Sequence, residues 1–288
     1  MAYVTHLGIL ISIYIMLSLS LNLVVGYTGL LSVSHVAFFG IGAYATAILL
    51  TITDLGFFTS VVVGIIVALT SSFLIGLILS KFEDDYYALA SLGFNIIVYS
   101  LFLNLQSVTR GALGISGIDR PELFGFIFSS NVSFFVLTFI TLIVLYLLSH
   151  FIVNSSFGRV IKAIRDDEKT LQVFGYRTLY YKLMIFMISA GMAAVAGSFF
   201  ASYITFIDPS SFAVTESVFI LSMVILGGLA DNKGAVLGAV TLILLPEFLR
   251  FVGMSSGIAA QMRQVVYGLL LIVLMLYRPR GFMGKYRL

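Results

Sequence analysis

The apolar residues of this chain form long runs that are separated by short polar connections. Each run is near the ~20 residues that an α-helix needs to cross ~30 Å of hydrocarbon. The pattern predicts nine spans, whose ends it fixes only to within several residues. The predicted spans are residues 8–26, 34–52, 59–80, 86–106, 131–151, 183–206, 215–230, 234–250 and 263–277. The predicted fold is therefore an all-α, polytopic transmembrane helical bundle in a single domain, residues 1–288.

Two connections, residues 27–33 and 231–233, are short, and a broken or re-entrant helix is the alternative to a complete span at each of them. Around the first of them, glycines allow tight turns and close helix approach. These glycines are Gly26, Gly29, Gly40 and Gly42. Ordinary helix packing and the lining of a substrate path explain them equally well. A similar glycine-rich turn, `LGGLADNKGAVLGA`, recurs about two hundred residues later and is a candidate for a distant internal repeat.

Small residues recur at every fourth position in the predicted span 183–206. One face carries Ala190, Ala194 and Ser198, and another carries Ala193, Gly197 and Ala201. In lipid such faces allow two helix backbones to approach closely. We predict that they pack against a neighbouring helix, with a position beside the substrate path as the alternative.

The composition excludes a water-soluble domain, because 60% of the residues are apolar, 10% are charged and the mean hydropathy is +1.10. There is no cysteine, and His6, His35 and His150 are too scattered to form a ligand cluster, so no metal centre and no bound cofactor are expected. The phosphate-binding pattern `GxxxxGK[ST]` does not occur, so this chain is not expected to hydrolyse ATP itself. The net charge of +3 does not indicate a nucleic-acid partner.

One internal loop, residues 154–182, carries nine charged residues, six of them basic. Within it Ile161, Ile164, Leu171 and Phe174 align on one side of a helix, and Gly175 is a candidate for the carboxyl-terminal stop. The pattern predicts a short amphipathic helix, with a possible kink at Asp166 and Asp167. Such a helix either lies on anionic lipid or docks its apolar ridge into a groove of a cytoplasmic protein. The pattern alone does not separate these two interpretations.

The basic residues also predict the topology. The charged loop and the tail `RPRGFMGKYRL` hold ten of the sixteen Lys and Arg residues, and four predicted crossings separate them. Both should therefore lie on one side of the membrane, the cytoplasm, together with Lys81 and Lys233. The same count puts the amino terminus outside and the carboxyl terminus in the cytoplasm.

Polar residues inside the predicted spans are candidates for a translocation path. They are Asn22, His35, Asn95, Asn104, Gln106, Glu216 and Glu247. Among them we choose Asn95, Glu216 and His35, together with Gly40 and Gly42. Hydrogen bonding between helices is the alternative role for such residues.

An enzyme is a further candidate class, because Gly114–Gly117 reads `GISG`, the pattern around the nucleophile of intramembrane serine proteases. Ser116 would need a histidine base on a nearby helix. The glycine-rich context `TRGALGISGIDRPELFG` instead predicts an ordered outer loop.

Four blocks in order resemble the LivM-type permease subunits of branched-chain amino acid ABC importers. They are `LNLVVGYTGLLSVSHVAFFGIGAYA`, `TRGALGISGI`, `GRVIKAIRDDEKTLQVFGY` followed by `KLMIFMISAGMAAVAGSFFA`, and `DPSSFAVTESVFILSMVILGGL` followed by `GAVLGAVTLILLPEFLR`. With the terminal `RPRGFMG`, the resemblance covers almost the whole chain. Ala230 and Asp231 stand where relatives typically have glycine and serine, and Asp119 stands where they often have proline. The chain also begins close to its first matching helix, so a leading helix found in many relatives is expected to be missing or shortened.

The resemblance implies a permease domain in a prokaryotic cell membrane, with residues 154–182 as its coupling loop. The coupling positions that it implies are Gly158, Arg159, Ala163, Arg165, Asp167, Glu168 and Gly175. The implied partners are a second, LivH-like permease subunit, two cytoplasmic LivG/LivF-like ATPase subunits that use the ATP, and an external solute-binding protein.

Leucine, isoleucine and valine are the solutes that the resemblance implies. Related systems carry urea, short amides or other neutral amino acids, and the sequence does not distinguish among these. An ion-coupled secondary transporter is the alternative from another class, although few acidic residues fall inside the predicted spans.

Overall fold

The structure, a computed structural model, describes residues 2–53, 55–123, 126–251, 268–269, 272 and 281–284. Within these residues the chain is a helical bundle with two very small β-ladders. The helices are α1 (Ala2–Leu21), which continues as a π-helical turn (Asn22–Tyr27), α2 (His35–Ile52), α3 (Phe57–Leu79), α4 (Asp84–Asn104), α5 (Gln106–Thr109), α6 (Asn131–Asn154), α7 (Ser156–Val173), α8 (Thr178–Ile204), α9 (Val214–Gly227) and α10 (Asn232–Phe251). The ladders pair β1 (Ile115–Ser116) with β4 (Phe206–Ile207), and β2 (Glu122–Leu123) with β3 (Phe126–Ile127). Short 3₁₀ turns occupy Gly111–Leu113 and Pro209–Phe212.

Six helices in the described ranges are long and apolar enough to cross a membrane: α1 with its π-helical turn, α2, α3, α4, α6 and α8. They match the first six predicted spans. α9 has only 14 residues, a length of about 21 Å, and the apolar part of α10 is Asn232–Leu245. The predicted count of nine spans is thus not confirmed. The ninth span, 263–277, lies almost entirely outside the described residues.

The centre of the bundle is formed by α1, α2 and α8, whose surfaces are mostly buried, whereas α3, α4 and α6 expose most of theirs. α2 and α8 run parallel, since His35 contacts Ser189 and Thr46 contacts Ser198. Their backbones nearly touch: a Cβ on Gly42 would lie 2.2 Å from the carbonyl oxygen of Ala194. The packing role predicted for the small residues of α8 is therefore confirmed at this contact.

The chain re-enters the bundle after α1. The hydroxyl of Ser189 donates to the Ser20 carbonyl and also contacts His35, so the start of α2 lies level with Ser20. α1 and its π-helical turn continue to Tyr27, roughly 10 Å beyond that level. Residues 28–34 are not helical and must return over this distance, with Ser32 and Ser34 buried. The break predicted at 27–33 is confirmed.

A second re-entry lies at the opposite end, after α8. His6 contacts Tyr203 near the end of α8, whereas Tyr14, midway along α1, donates to Glu216 in the first turn of α9. The chain between them therefore returns about 12 Å towards the middle of the bundle. The other predicted break, at 231–233, is instead a tight turn between α9 and α10. The crossing is shortened at the amino-terminal end of α9, where the second re-entry precedes the helix.

The helices around the two re-entries form two units. One unit is α1, the first re-entry and α2, and the other is α8, the second re-entry and α9. The two units are inverted copies in arrangement. In each, a long central helix is followed by a non-helical re-entry and by a helix that packs on the long helix of the other unit: α2 on α8, and α9 on α1. The two long helices end at Tyr27 and at Ile204. A repeat was expected, but the pairing of the two glycine-rich turns was wrong, because the second of them is the turn between α9 and α10. Inverted repeats with broken helices are typical of membrane transporters.

Candidate functional site

The charged loop folds as α7 and lies across one end of the bundle. Ser155 caps the helix by accepting a hydrogen bond from the Gly158 amide at 3.2 Å. A Cβ on Gly158 would lie 2.3 Å from the carbonyl oxygen of Val153, so only glycine allows this tight junction between α6 and α7. Ile161 and Ile164 are buried. The first half of α7 is thus fixed to the bundle.

α7 is kinked at Asp167, whose backbone has φ −160° and ψ 98°. The Asp167 carboxylate accepts hydrogen bonds from the Thr170 hydroxyl (2.5 Å) and the Thr170 amide (3.0 Å), and thereby caps the second half of the helix. These hydrogen bonds lower the pKa of Asp167. The predicted kink is confirmed, and the second half of α7 takes its own direction.

The helix ends at Gly175, as predicted. Gly175 has φ +85°, its amide donates to the Gln172 carbonyl at 3.0 Å, and the Tyr176 amide donates to the Leu171 carbonyl at 3.1 Å. This is a Schellman motif, which requires a left-handed residue at the position of Gly175. A Cβ there would meet nothing within 4 Å, so the requirement is conformational and not steric.

The predicted single apolar side of the loop is divided by the kink. Ile161 and Ile164 face the bundle, whereas Phe174 is 75% exposed. Phe174 belongs to a set of exposed apolar residues at the turn between α7 and α8, which we name the apolar tip. Its members are Val173, Phe174, Tyr176, Leu179 and Tyr180. A group of this kind on a charged segment indicates a partner or a membrane surface.

Glu168 connects the second half of α7 to the start of α8. Its carboxylate accepts from Lys182 at 2.9 Å, from the Thr178 hydroxyl at 2.8 Å and from Gln172 at 3.3 Å. The Lys182 side chain is only 9% exposed. Since an ammonium in such surroundings needs a counter-charge, Glu168 fixes the second half of α7 to α8. We call these four residues the Glu168 network.

Arg165 connects α7 to the first re-entry. Its guanidinium donates to the Val25 carbonyl at 3.3 Å, and its side chain lies against Gly29, which has φ +79°. Arg159 donates to the Ser156 hydroxyl at 2.8 Å, and the partly exposed Ala163 lies between these two arginines in sequence. The implied coupling positions are therefore all on α7 or at its end. Three of them, Gly158, Arg165 and Glu168, contact other elements of the bundle.

A cavity of about 500 Å³ opens beside the second half of α7. Residues of the first re-entry and of the connection between α3 and α4 also line it, among them Gly29, Glu83 and Asp85. The tail residue Phe282 donates to the Leu226 carbonyl at the end of α9, near this same end of the bundle. The charged loop, the tail and the connection that carries Lys81 thus share one end, as the topology predicted.

Two of the predicted path residues meet at the start of α9. Asn95 donates to the Ser217 hydroxyl at 2.9 Å, next to Glu216, which accepts from Tyr14 at 2.6 Å. Asn95 is fully buried, and its carbonyl oxygen has no hydrogen-bond partner in the described part of the chain. The sequence marked both residues as candidates for the path but did not predict their proximity.

The other predicted path residues lie at helix contacts. The His35 ring is 2.5 Å from the Ser189 hydroxyl, and Gly42 faces the backbone of α8. Gly40 lies against the rings of Phe102 and Phe212. These rings belong to an aromatic cluster with Phe39 and Tyr44 that sequence reasoning missed, because its members are far apart in the chain.

Ser116 is placed in β1, paired with Phe206 of β4. The three histidines contact other groups: His6 contacts Tyr203, His35 contacts Ser189, and His150 contacts Asn154. The ordered loop predicted for this segment is confirmed, and the geometry gives no support to a protease.

The bundle, its broken crossings and the charged helix at one end define a multi-pass membrane protein of the transporter type. The family model for the branched-chain amino acid transport system permease component matches residues 3–275, and the chain belongs to this family. It is 34% identical to the high-affinity branched-chain amino acid transport system permease proteins LivM of Salmonella typhimurium and of Escherichia coli, over 96% of this chain and 68% of each relative. It is 26% identical to the permease protein LivH of Salmonella typhimurium, over 95% of this chain and 92% of that relative. No solved structure matches the chain. Its relatives are permease components, and no enzyme family is indicated.

Proposed function

We propose that this chain is the membrane-spanning permease subunit of an ATP-driven importer for leucine, isoleucine and valine. The family membership and the names of the LivM relatives support the solute class. The end of the bundle that carries α7 faces the cytoplasm, because it holds the charged loop and Lys81. The amino terminus is outside and the carboxyl terminus is in the cytoplasm.

The importer contains further subunits. A second permease subunit related to LivH completes the membrane part, two cytoplasmic ATPases supply the energy, and an external solute-binding protein delivers the amino acid. The similarity of this chain to both LivM and LivH supports a pair of related permeases. Residues 1–288 act as one permease domain, with 154–182 as its coupling loop.

The single observation that carries this proposal is the construction of α7. Its first half buries Gly158, Ile161 and Ile164 against the bundle, whereas its second half leads to the apolar tip beyond a capped kink. In the proposed mechanism the tip docks in a groove of an ATPase subunit. When ATP binding moves the ATPases, the Glu168 network carries the displacement to α8, and Arg165 carries it to the first re-entry.

The amino acid passes along a path that includes the start of α9. Asn95 and Glu216 offer oxygen atoms that suit an ammonium group, and the first turn of α9 offers amides that suit a carboxylate. His35, Gly40 and Gly42 border this path and keep its helices in close contact. Binding in the path is weak, so selectivity rests with the external protein.

Replacement of one residue of the apolar tip tests the docking. In Phe174→Ser, the ATPases should no longer co-purify with the permease, whereas the second permease should remain. Leu113→Ser is the matched control, because Leu113 is 84% exposed at the opposite end of the bundle. Retention of the ATPases by both variants would contradict docking through the tip.

A further inference from the structure

A second, smaller cavity lies at the junction of three elements. It has a volume of about 190 Å³ and lies between the end of α6, the first half of α7 and the turn that joins α9 to α10. Tyr146, His150 and Asn154 line it from α6, Lys162 lines it from α7, and Lys233 lines it from the turn. We call it the junction cavity.

The junction cavity is basic. Lys162 and Lys233 are among its lining residues, and Asp231 is the one acidic residue among them. The Asp231 carboxylate already accepts from the amides of Lys233 (2.7 Å) and Gly234 (3.2 Å), as the cap of α10. The Lys162 ammonium donates to the Val153 carbonyl at 2.8 Å and lies 5.6 Å from the centroid of the Tyr27 ring. Val153 and Tyr27 both line the cavity, so this charge lies at its wall. The field inside therefore favours an anion.

The cavity also continues an exposed apolar surface. On α6, residues 147, 151 and 154 follow one another at helical spacing and share one face. Leu147 is 58% exposed and Phe151 is 74% exposed, whereas the polar residues His150 and Asn154 stand at the end of this face, in the cavity wall. An acyl chain that lies along α6 would thus bring its headgroup to the two lysines.

We propose that the junction cavity binds the phosphate headgroup of an anionic phospholipid, with its acyl chains along the exposed face of α6. Basic recesses between helices at a membrane surface bind such headgroups, and tyrosines such as Tyr146 commonly stand at this depth. The bound lipid joins the α6–α7 junction to the α9–α10 turn. This proposal does not depend on which solute is transported.

The test measures lipid binding to the full-length chain, purified in a neutral detergent and titrated with phosphatidylglycerol or phosphatidylcholine under native mass spectrometry. Phosphatidylglycerol should bind, and the double variant K162Q/K233Q should bind it roughly 30-fold more weakly, from about fivefold for each charge. The control K81Q/K169Q removes two exposed charges outside the junction cavity at the same end of the bundle. It should bind as the original chain does.

Two further variants and a competition with inorganic phosphate complete the test. K162R/K233R should retain the lipid because it keeps both charges. If K162Q/K233Q does not fold, K233Q alone, at an exposed position, should still weaken binding several-fold. Equal loss in the control variant, or equal binding of phosphatidylcholine, would overturn the proposal. Displacement of the lipid by millimolar inorganic phosphate would show a free-anion site and would overturn it as well.

Discussion

At the scale of single residues, the glycines of this chain are required for different physical reasons, which the sequence alone does not reveal. Gly158 and Gly42 are required by contact, because a Cβ would lie 2.3 Å and 2.2 Å from a neighbouring carbonyl oxygen. Gly175 has open space around it but a left-handed backbone. Resemblance marked Gly158 and Gly175 as coupling positions, and the structure supplies a separate physical reason for each.

These reasons give a prediction for Gly175. Gly175→Asn should be tolerated, since asparagine adopts the left-handed conformation readily, whereas Gly175→Val should destabilise the end of α7 by about 1–2 kcal/mol. Hydrogen exchange of the amides at 171–176 measures the effect. Gly175→Ala should fall between the two. Equal protection in Asn and Val variants would show that the Schellman motif is unimportant.

A second prediction concerns the Glu168 network. Glu168→Gln leaves the mostly buried Lys182 without its counter-charge and should lower stability by about 1–3 kcal/mol. The double variant Glu168→Gln, Lys182→Met removes both charges and should recover part of this loss. A double-mutant cycle on thermal unfolding of the detergent-solubilised chain measures the coupling. If the stability loss of the double variant equals the sum of the losses of its two single variants, the pair is not coupled and the network does not fix α7 to α8.

At the scale of elements, hydropathy predicted the six long helices because each is a continuous apolar run. At α9 it predicted a complete span, 215–230, but the helix has only 14 residues, because a non-helical re-entry precedes it. Pro209 and the serines beside it begin a 3₁₀ turn there, and the helix starts only at Val214. Amphipathic spacing likewise predicted α7 but not the division of its apolar side. That division depends on the backbone of Asp167, which periodicity does not report.

The start of α9 gives a prediction for transport. Asn95→Leu removes the hydrogen bond to Ser217 at the proposed path and should reduce amino acid uptake at least tenfold while the subunits still assemble. Asn104→Leu is the matched control on the same helix, because Asn104 is exposed and bonds only to the Ser100 carbonyl of its own helix among the contacts described. Uptake should be close to normal in the control. Normal uptake in Asn95→Leu would remove Asn95 from the path.

At the scale of the whole molecule, two inverted units share a centre made of α1, α2 and α8. One re-entry faces α7 and the other faces the opposite end, so a shift of one unit against the other would open one end as it closes the other. The sequence predicted a repeat but paired the wrong segments, since the true correspondence lies in contacts between distant residues such as Tyr14 with Glu216. The side of the membrane that each end faces remains a prediction from charge.

We propose that ATP drives this permease through partners docked on α7. Uptake of labelled leucine into vesicles that contain the assembled complex, with ATP on the α7 side, tests this directly. We expect uptake that requires ATP and the external binding protein, that persists when ion gradients are collapsed, and that is lost in Phe174→Ser. Uptake by vesicles that contain this chain alone, driven by a proton or sodium gradient, would contradict it.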